Sequence, residues 1–262
     1  MSRPRWLAAA VAALLIGLTA CSAQRARPTP TEGPDPAVLE RRAADAARAG
    51  RHEEAIRFYR EMLRAAPEDA MGFYRLGNEY RLVGDYGNAM RAYKAAIRHD
   101  PELVPAYVNL GNALSAAGRN RQAVVVLRRA VRLAPSSARA RNALGIAYDA
   151  LGEHSEAVLT LKEAIRLAPD SPIAYGNLGN AYANLELYDE AIDAYRRAIR
   201  LAPNAAPLHA NLGAIYVRAG RLDDAKRERE VLETLDPERA RRLGRLMAPE
   251  RGAEAGSRLS PR

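Results

Sequence analysis

The chain has a single cysteine, Cys21, in 262 residues. No intramolecular disulfide can form, and no thiolate zinc cage. Aromatic residues are scarce at 6%, twelve of them Tyr against two Phe and one Trp. With few strand formers and abundant Ala, Leu and Arg, the expected class is all-helical. No apolar run reaches the ~20 residues a membrane-spanning helix needs. Also missing are a Gly-rich phosphate loop, a nucleophile elbow and a clustered acid pair, so an enzyme is not expected. The histidines His52, His99, His154 and His209 have no Cys, Asp or Glu at metal-ligand spacing, so neither a metal nor a cofactor is expected. His52 and His154 read as loop residues and His209 as core filler. No nucleic-acid-binding motif occurs, and the net charge of +9 is spread along the chain rather than gathered in one block.

The first 21 residues carry the clearest local pattern. Arg3 and Arg5 precede an apolar run from Trp6 to Ala20, the layout of a secretory signal. Leu18, Thr19, Ala20 and Cys21 resemble the lipobox of bacterial lipoproteins. That resemblance implies a signal at 1–20, cleavage before Cys21 and acylation of its thiol, which would leave the protein lipid-anchored at a bacterial envelope membrane and facing the periplasm. Ser22 after the cysteine points to the outer membrane if the cell is Gram-negative. Residues 21–35, with Pro28, Pro30 and Pro34, read as a lipidated cysteine and an extended tether. At ~3.1 Å per residue such a tether spans up to ~40 Å.

The rest of the chain is periodic. Pro67, Pro101, Pro135, Pro169, Pro203 and Pro237 recur every 34 residues. With proline as position 32, the segments are 36–69, 70–103, 104–137, 138–171, 172–205 and 206–239. Position 7 is Leu76, Leu110, Leu144, Leu178 and Leu212; position 8 is Gly77, Gly111, Gly145, Gly179 and Gly213; position 20 is Ala in all six. Gly50, Gly84, Gly118, Gly152 and Gly220 at position 15 mark the break between a helix A and a helix B, and proline ends the second. Glycine within a helix costs ~1 kcal/mol against Ala, so the position-8 column requires close packing in return.

These columns resemble the tetratricopeptide repeat. The resemblance implies a right-handed α-solenoid of six helix-turn-helix repeats, since no repeat can bury its apolar face alone. Repeat 1 lacks the Leu and Gly of positions 7 and 8, Arg141 replaces an aromatic at position 4, and Arg229 replaces an apolar residue at position 24. Residues 240–248 read as a capping helix and 249–262 as a disordered tail.

Within this register asparagine is overused on one side of helix A. Asn109, Asn177 and Asn211 occupy position 6; Asn78, Asn112 and Asn180 occupy position 9; Asn142 and Asn184 sit at 5 and 13. On a helical wheel they lie opposite the packing positions 4, 7, 8 and 11. The resemblance implies that helix A lines a concave groove whose asparagines bind a peptide backbone. The alternative is that they bridge neighbouring helices. Arg75 and Arg139, with Arg41, Arg48 and Arg81, make this face basic toward the N-terminal repeats, which suits an acidic segment or a C-terminal carboxylate. Asn78, Asn109 and Arg139 fall on three positions of the family's carboxylate clamp, while Tyr74 and Ala143 stand where that clamp has basic residues.

The functional expectation is a membrane-anchored, non-enzymatic scaffold that binds a protein or extended peptide in the groove. It resembles repeat lipoproteins that assist pilus, secretion or cell-wall machines, an analogy of architecture alone. The alternative is a self-associating or bracing component of an envelope complex.

Overall fold

The computed structural model describes residues 35–248. The expected signal at 1–20, Cys21, the expected tether up to residue 34 and the expected tail at 249–262 lie outside the described residues. The described chain is helical, with thirteen helices in six pairs plus one. The A helices are α1 (Pro36–Arg48), α3 (Ala70–Leu82), α5 (Val104–Ala116), α7 (Ala138–Leu151), α9 (Pro172–Asn184) and α11 (Ala206–Arg218). The B helices are α2 (His52–Ala65), α4 (Tyr86–His99), α6 (Asn120–Leu133), α8 (His154–Leu167), α10 (Tyr188–Leu201) and α12 (Leu222–Leu235), and α13 (Pro237–Met247) closes the array. None of them is long and apolar enough to cross a membrane.

The turn within each repeat is set by its position-15 residue. Gly50, Gly84, Gly118, Gly152 and Gly220 have φ between 71° and 88°, the left-handed region glycine enters without strain. In repeat 5 that position is Glu186, at φ 61°. Side-chain caps start several helices: Asp69 accepts from the Gly72 amide, Asp85 from Asn88, Ser137 from Ala140 and Ser171 from Ala174. His52 and His154 are the first residues of α2 and α8 rather than loop residues, because the turn needs only the glycine and one residue after it.

The position-8 glycines are explained by what lies against them. A Cβ on Gly77 would stand 2.6 Å from the Tyr93 ring, one on Gly145 2.5 Å from Leu161 Cγ and one on Gly179 2.7 Å from the Tyr195 ring. Tyr93, Tyr195, Leu127 and Leu161, all at position 24 of helix B, are fully buried. Each fills the space its own repeat's glycine leaves. In repeat 6, where position 24 is Arg229, Leu243 of α13 packs on Gly213 instead, so the last helix completes that repeat's core. Asp236 caps α13 through the Arg239 amide and Pro237 occupies its first turn, so this helix begins three residues before the boundary expected at 240.

Each helix packs on the next along the chain. In addition, α3 packs on α5, α5 on α7 and α7 on α9, whereas no successive B helices pack comparably. The A helices therefore crowd the inner radius of the curve and the B helices form its outside.

Candidate functional site

The crowding of A helices decides what the asparagines touch. Asn109 on α5 is only 7% exposed. Its amide donates to Asn78 Oδ1 at 2.7 Å and to the Tyr74 hydroxyl at 3.4 Å, and its Oδ1 accepts from the Arg139 guanidinium at 2.8 Å. Asn78 Oδ1 also accepts from the Tyr93 hydroxyl at 2.9 Å. The three residues matching clamp positions are thus one hydrogen-bonded chain across repeats 2, 3 and 4. The same pattern begins again three repeats later, where the Tyr195 hydroxyl donates to Asn180 Oδ1 and Asn211 lies beside it. Burial raises the Tyr93 hydroxyl pKa above its ordinary value and pushes Tyr195 up to about 12.

Other bridges use different atoms. Asn177 donates to Asn142 Oδ1 at 3.0 Å, joining α9 to α7. Asn184 donates to both Asp149 oxygens at 3.0 and 3.1 Å, and the same carboxylate meets His154 Nδ1 at 2.7 Å. Arg75 donates to the Glu40 carboxylate, and Arg218 to the Ala183 carbonyl at 2.9 Å. Each joins an A helix to the next one.

The helical wheel set the asparagines apart from the packing positions, and for Asn109 this is overturned: it is buried. Asn78, Asn142 and Asn177 are half-buried between repeats. The reason is the curvature, which turns position 6 of one A helix toward positions 5 and 9 of the preceding one. Asn112, Asn180, Asn184, Asn211 and Arg139 are exposed. Asn112 has no side-chain hydrogen-bond partner among the described residues, because its repeat has Leu127, not Tyr, at position 24 and Ala143 at the next position 6. A signal for the bridges was present in the sequence, since Tyr at position 24 coincides with Asn at position 9 and at the next position 6 in repeats 2 and 5. Asp149, which holds both His154 and Asn184, was missed as a bridging residue.

Besides His154, two histidines pair with carboxylates, His52 with Glu79 at 2.8 Å and His209 with Glu228 at 2.7 Å, whereas His99 stacks on the Phe73 ring. His209 is 6% exposed and also bonds the Pro203 carbonyl at 2.8 Å, as Tyr107 in the same repeat position bonds the Pro101 carbonyl at 3.0 Å. His209 is core, with a polar partner at each nitrogen. Among the described residues no three His, Cys, Asp or Glu side chains converge as a metal site.

Known proteins share this architecture. Tetratricopeptide repeat models match residues 172–205 and 108–172, a TPR repeat model matches 77–118, and a PPR repeat model matches the shorter stretch 46–65. No curated protein matches the chain. A solved MamA structure is 30% identical over 63% of this chain and 97% of that one, with a TM-score of 0.54. A thermophilic TPR protein of Thermus thermophilus is 25% identical over 70% of this chain and 100% of that one, TM-score 0.58. PilW, described as a widely conserved type IV pilus biogenesis factor, has a TM-score of 0.73 over 79% of this chain and 97% of its own, at 16% identity, a likeness of fold. The tandem helix pairs, their glycine and proline columns and a 30% identical relative aligned over nearly its whole length agree, and the chain belongs to the tetratricopeptide repeat family.

Proposed function

We propose that this chain is a protein-interaction scaffold whose inner A-helix face holds an extended protein segment, while lipid on Cys21 anchors it at a bacterial envelope membrane. The observation that carries the groove reading is Asn112, an exposed amide midway along the inner face with no partner among the described residues. An unpartnered carboxamide can both donate to and accept from a peptide backbone. Exposed Asn180, Asn184 and Asn211 continue the row. Arg139 spends one of its five guanidinium hydrogens on Asn109, which leaves donors for an acidic side chain or a terminal carboxylate. Assistance to a pilus, secretion or cell-wall machine is the cellular role that best fits an anchored scaffold.

The test is in-cell crosslinking from a photoreactive residue placed at Asn112 or Asn180, followed by mass spectrometry. Adducts with another protein from the probe at Asn180, lost when Asn112 is replaced by Ala with the melting temperature unchanged, are the expected result. Adducts only to further copies of the chain, with a matching mass increase in light scattering, would reject the groove reading in favour of self-association. The anchor is tested separately by radiolabelled palmitate incorporation, expected in the wild type and absent in Cys21→Ala.

A further inference from the structure

The outer helices do not share charge evenly. Arg91, Lys94 and Arg98 lie on α4, and Arg121, Arg129 and Arg132 on α6, all exposed, and neither helix contains an Asp or Glu. None of the six forms an ion pair with a carboxylate among the described residues. A seventh cation, Arg128, is spent on the Tyr148 hydroxyl at 2.7 Å and lies over its ring. Of the carboxylates that flank α4, Asp85 accepts from the Asn88 amide and feels the charge of Arg91, and Asp100 accepts from the Glu102 amide. The later outer helices differ: α8 and α10 match each cation with an acid, and α12 has an acidic excess.

Helix dipoles account for part of this. Arg98 and Arg132 stand in last turns, as Arg64, Arg166 and Arg200 do in other repeats, and complement the carbonyl end there. The dipole does not account for Arg91, Lys94, Arg121 and Arg129, or for two adjacent helices without an acid. Beside these cations two aliphatic side chains project into solvent, Val125 on α6 at 68% and Leu159 on α8 at 67% exposure. They hold the same repeat position, 22, on consecutive outer helices. Single exposed aliphatics need no explanation, but this pair prolongs the cationic patch.

We propose that the outer face of α4 and α6, with Val125 and Leu159 beside it, docks the solenoid onto an anionic phospholipid surface. Guanidinium groups pair with lipid phosphates, and aliphatics among them enter the headgroup boundary. A nucleic acid would satisfy the cations and leave the aliphatics in water, which is why lipid is the occupant. The inner face then points away from the membrane and stays open to a partner. The surface stands on its own charge and goes beyond the Cys21 anchor, so each can fail alone.

The test uses the full chain carrying Cys21→Ala, which removes acylation, in co-sedimentation with vesicles of phosphatidylcholine alone or with about one-third phosphatidylglycerol at about 0.1 M salt. The segment Trp6 to Ala20 is present in every variant, so the ratio between the two vesicle types is what is read. A basic residue near an anionic surface multiplies partitioning about fivefold. The quadruple variant R91Q/K94Q/R121Q/R129Q is expected to lose at least about tenfold of the anionic preference with its melting temperature unchanged. R197Q/R200Q on α10 serves as a control and should keep the preference. Equal binding to both vesicle types by the parent, or equal losses in the quadruple variant and the control, would overturn the proposal. So would a quadruple variant that keeps its vesicle preference while losing binding to duplex DNA or polyglutamate.

Discussion

The close approach in repeats 2 to 5 between the position-8 glycine and the position-24 side chain yields a prediction with a change of sign. Replacing Gly145 with Ala should favour helix α7 by about 1 kcal/mol, because Ala is the better helix former. Against this, the new Cβ would lie 2.5 Å from Leu161 Cγ, a branch atom of a fully buried side chain. To reach ordinary carbon contact the two must separate by roughly 1 Å, and overpacking of this kind costs about 1–3 kcal/mol. The net expectation is a loss of about 1 kcal/mol, or roughly 2–4 °C in melting temperature for a chain of this size. Leu161→Ala alone should cost about 2–5 kcal/mol through the void it leaves. Once Leu161 is gone, Gly145→Ala meets no obstruction and should become stabilising by about 1 kcal/mol. The four proteins of this cycle can be compared by thermal unfolding followed by far-ultraviolet circular dichroism. A coupling of about 2 kcal/mol is expected between the two sites. If Gly145→Ala raised the melting temperature of the wild type, or if the two changes were additive, steric exclusion would not be why glycine occupies position 8.

Two further predictions concern single residues. Tyr195, raised to about 12 in the folded chain and ionising near 10 when unfolded, holds its proton in both states below about pH 10, where its stabilisation is complete. Between about pH 10 and 12 the unfolded chain loses that proton first, so stability should fall by roughly 2–3 kcal/mol over this window. In Tyr195→Phe the decline should be shallower by that amount, though the variant starts lower for want of the Asn180 bond; parallel alkaline unfolding curves would refute the assignment. Glu186→Gly should raise the melting temperature by roughly 2 °C, because a left-handed non-glycine residue costs about 1–2 kcal/mol and glycine's larger unfolded-state entropy offsets only part of the gain. A lower melting temperature would mean that the Glu186 side chain stabilises this turn in a way its backbone angle does not reveal.

The helices, their turns and the order of stacking were legible because a strict period repeats each cue: five glycines at one position and six prolines at another leave little freedom. Leu243 was legible only as part of an apolar stripe; its contact with Gly213 answers the arginine at position 24 of repeat 6. The role of Asn109 was not legible from a helical wheel. A wheel describes one helix, whereas Asn109 is buried by the bend that brings α3 and α7 to it. The cue that carried this information lay in helix B, in the tyrosines that accompany Asn78 and Asn180. Arg75 read as free positive charge and is paired with Glu40 across two repeats, a pairing visible only once the A helices are set side by side.

The bridge through Asn109 has a mechanical side. Its amide and carbonyl are the fasteners between three consecutive repeats, and at 7% exposure they lie beneath the face that an incoming segment would meet first. A guest that engages them must unfasten Asn78 or Arg139 first, so occupancy of this stretch and the pitch of the coil are one variable. A partner there would be registered as a change in the end-to-end length of the molecule.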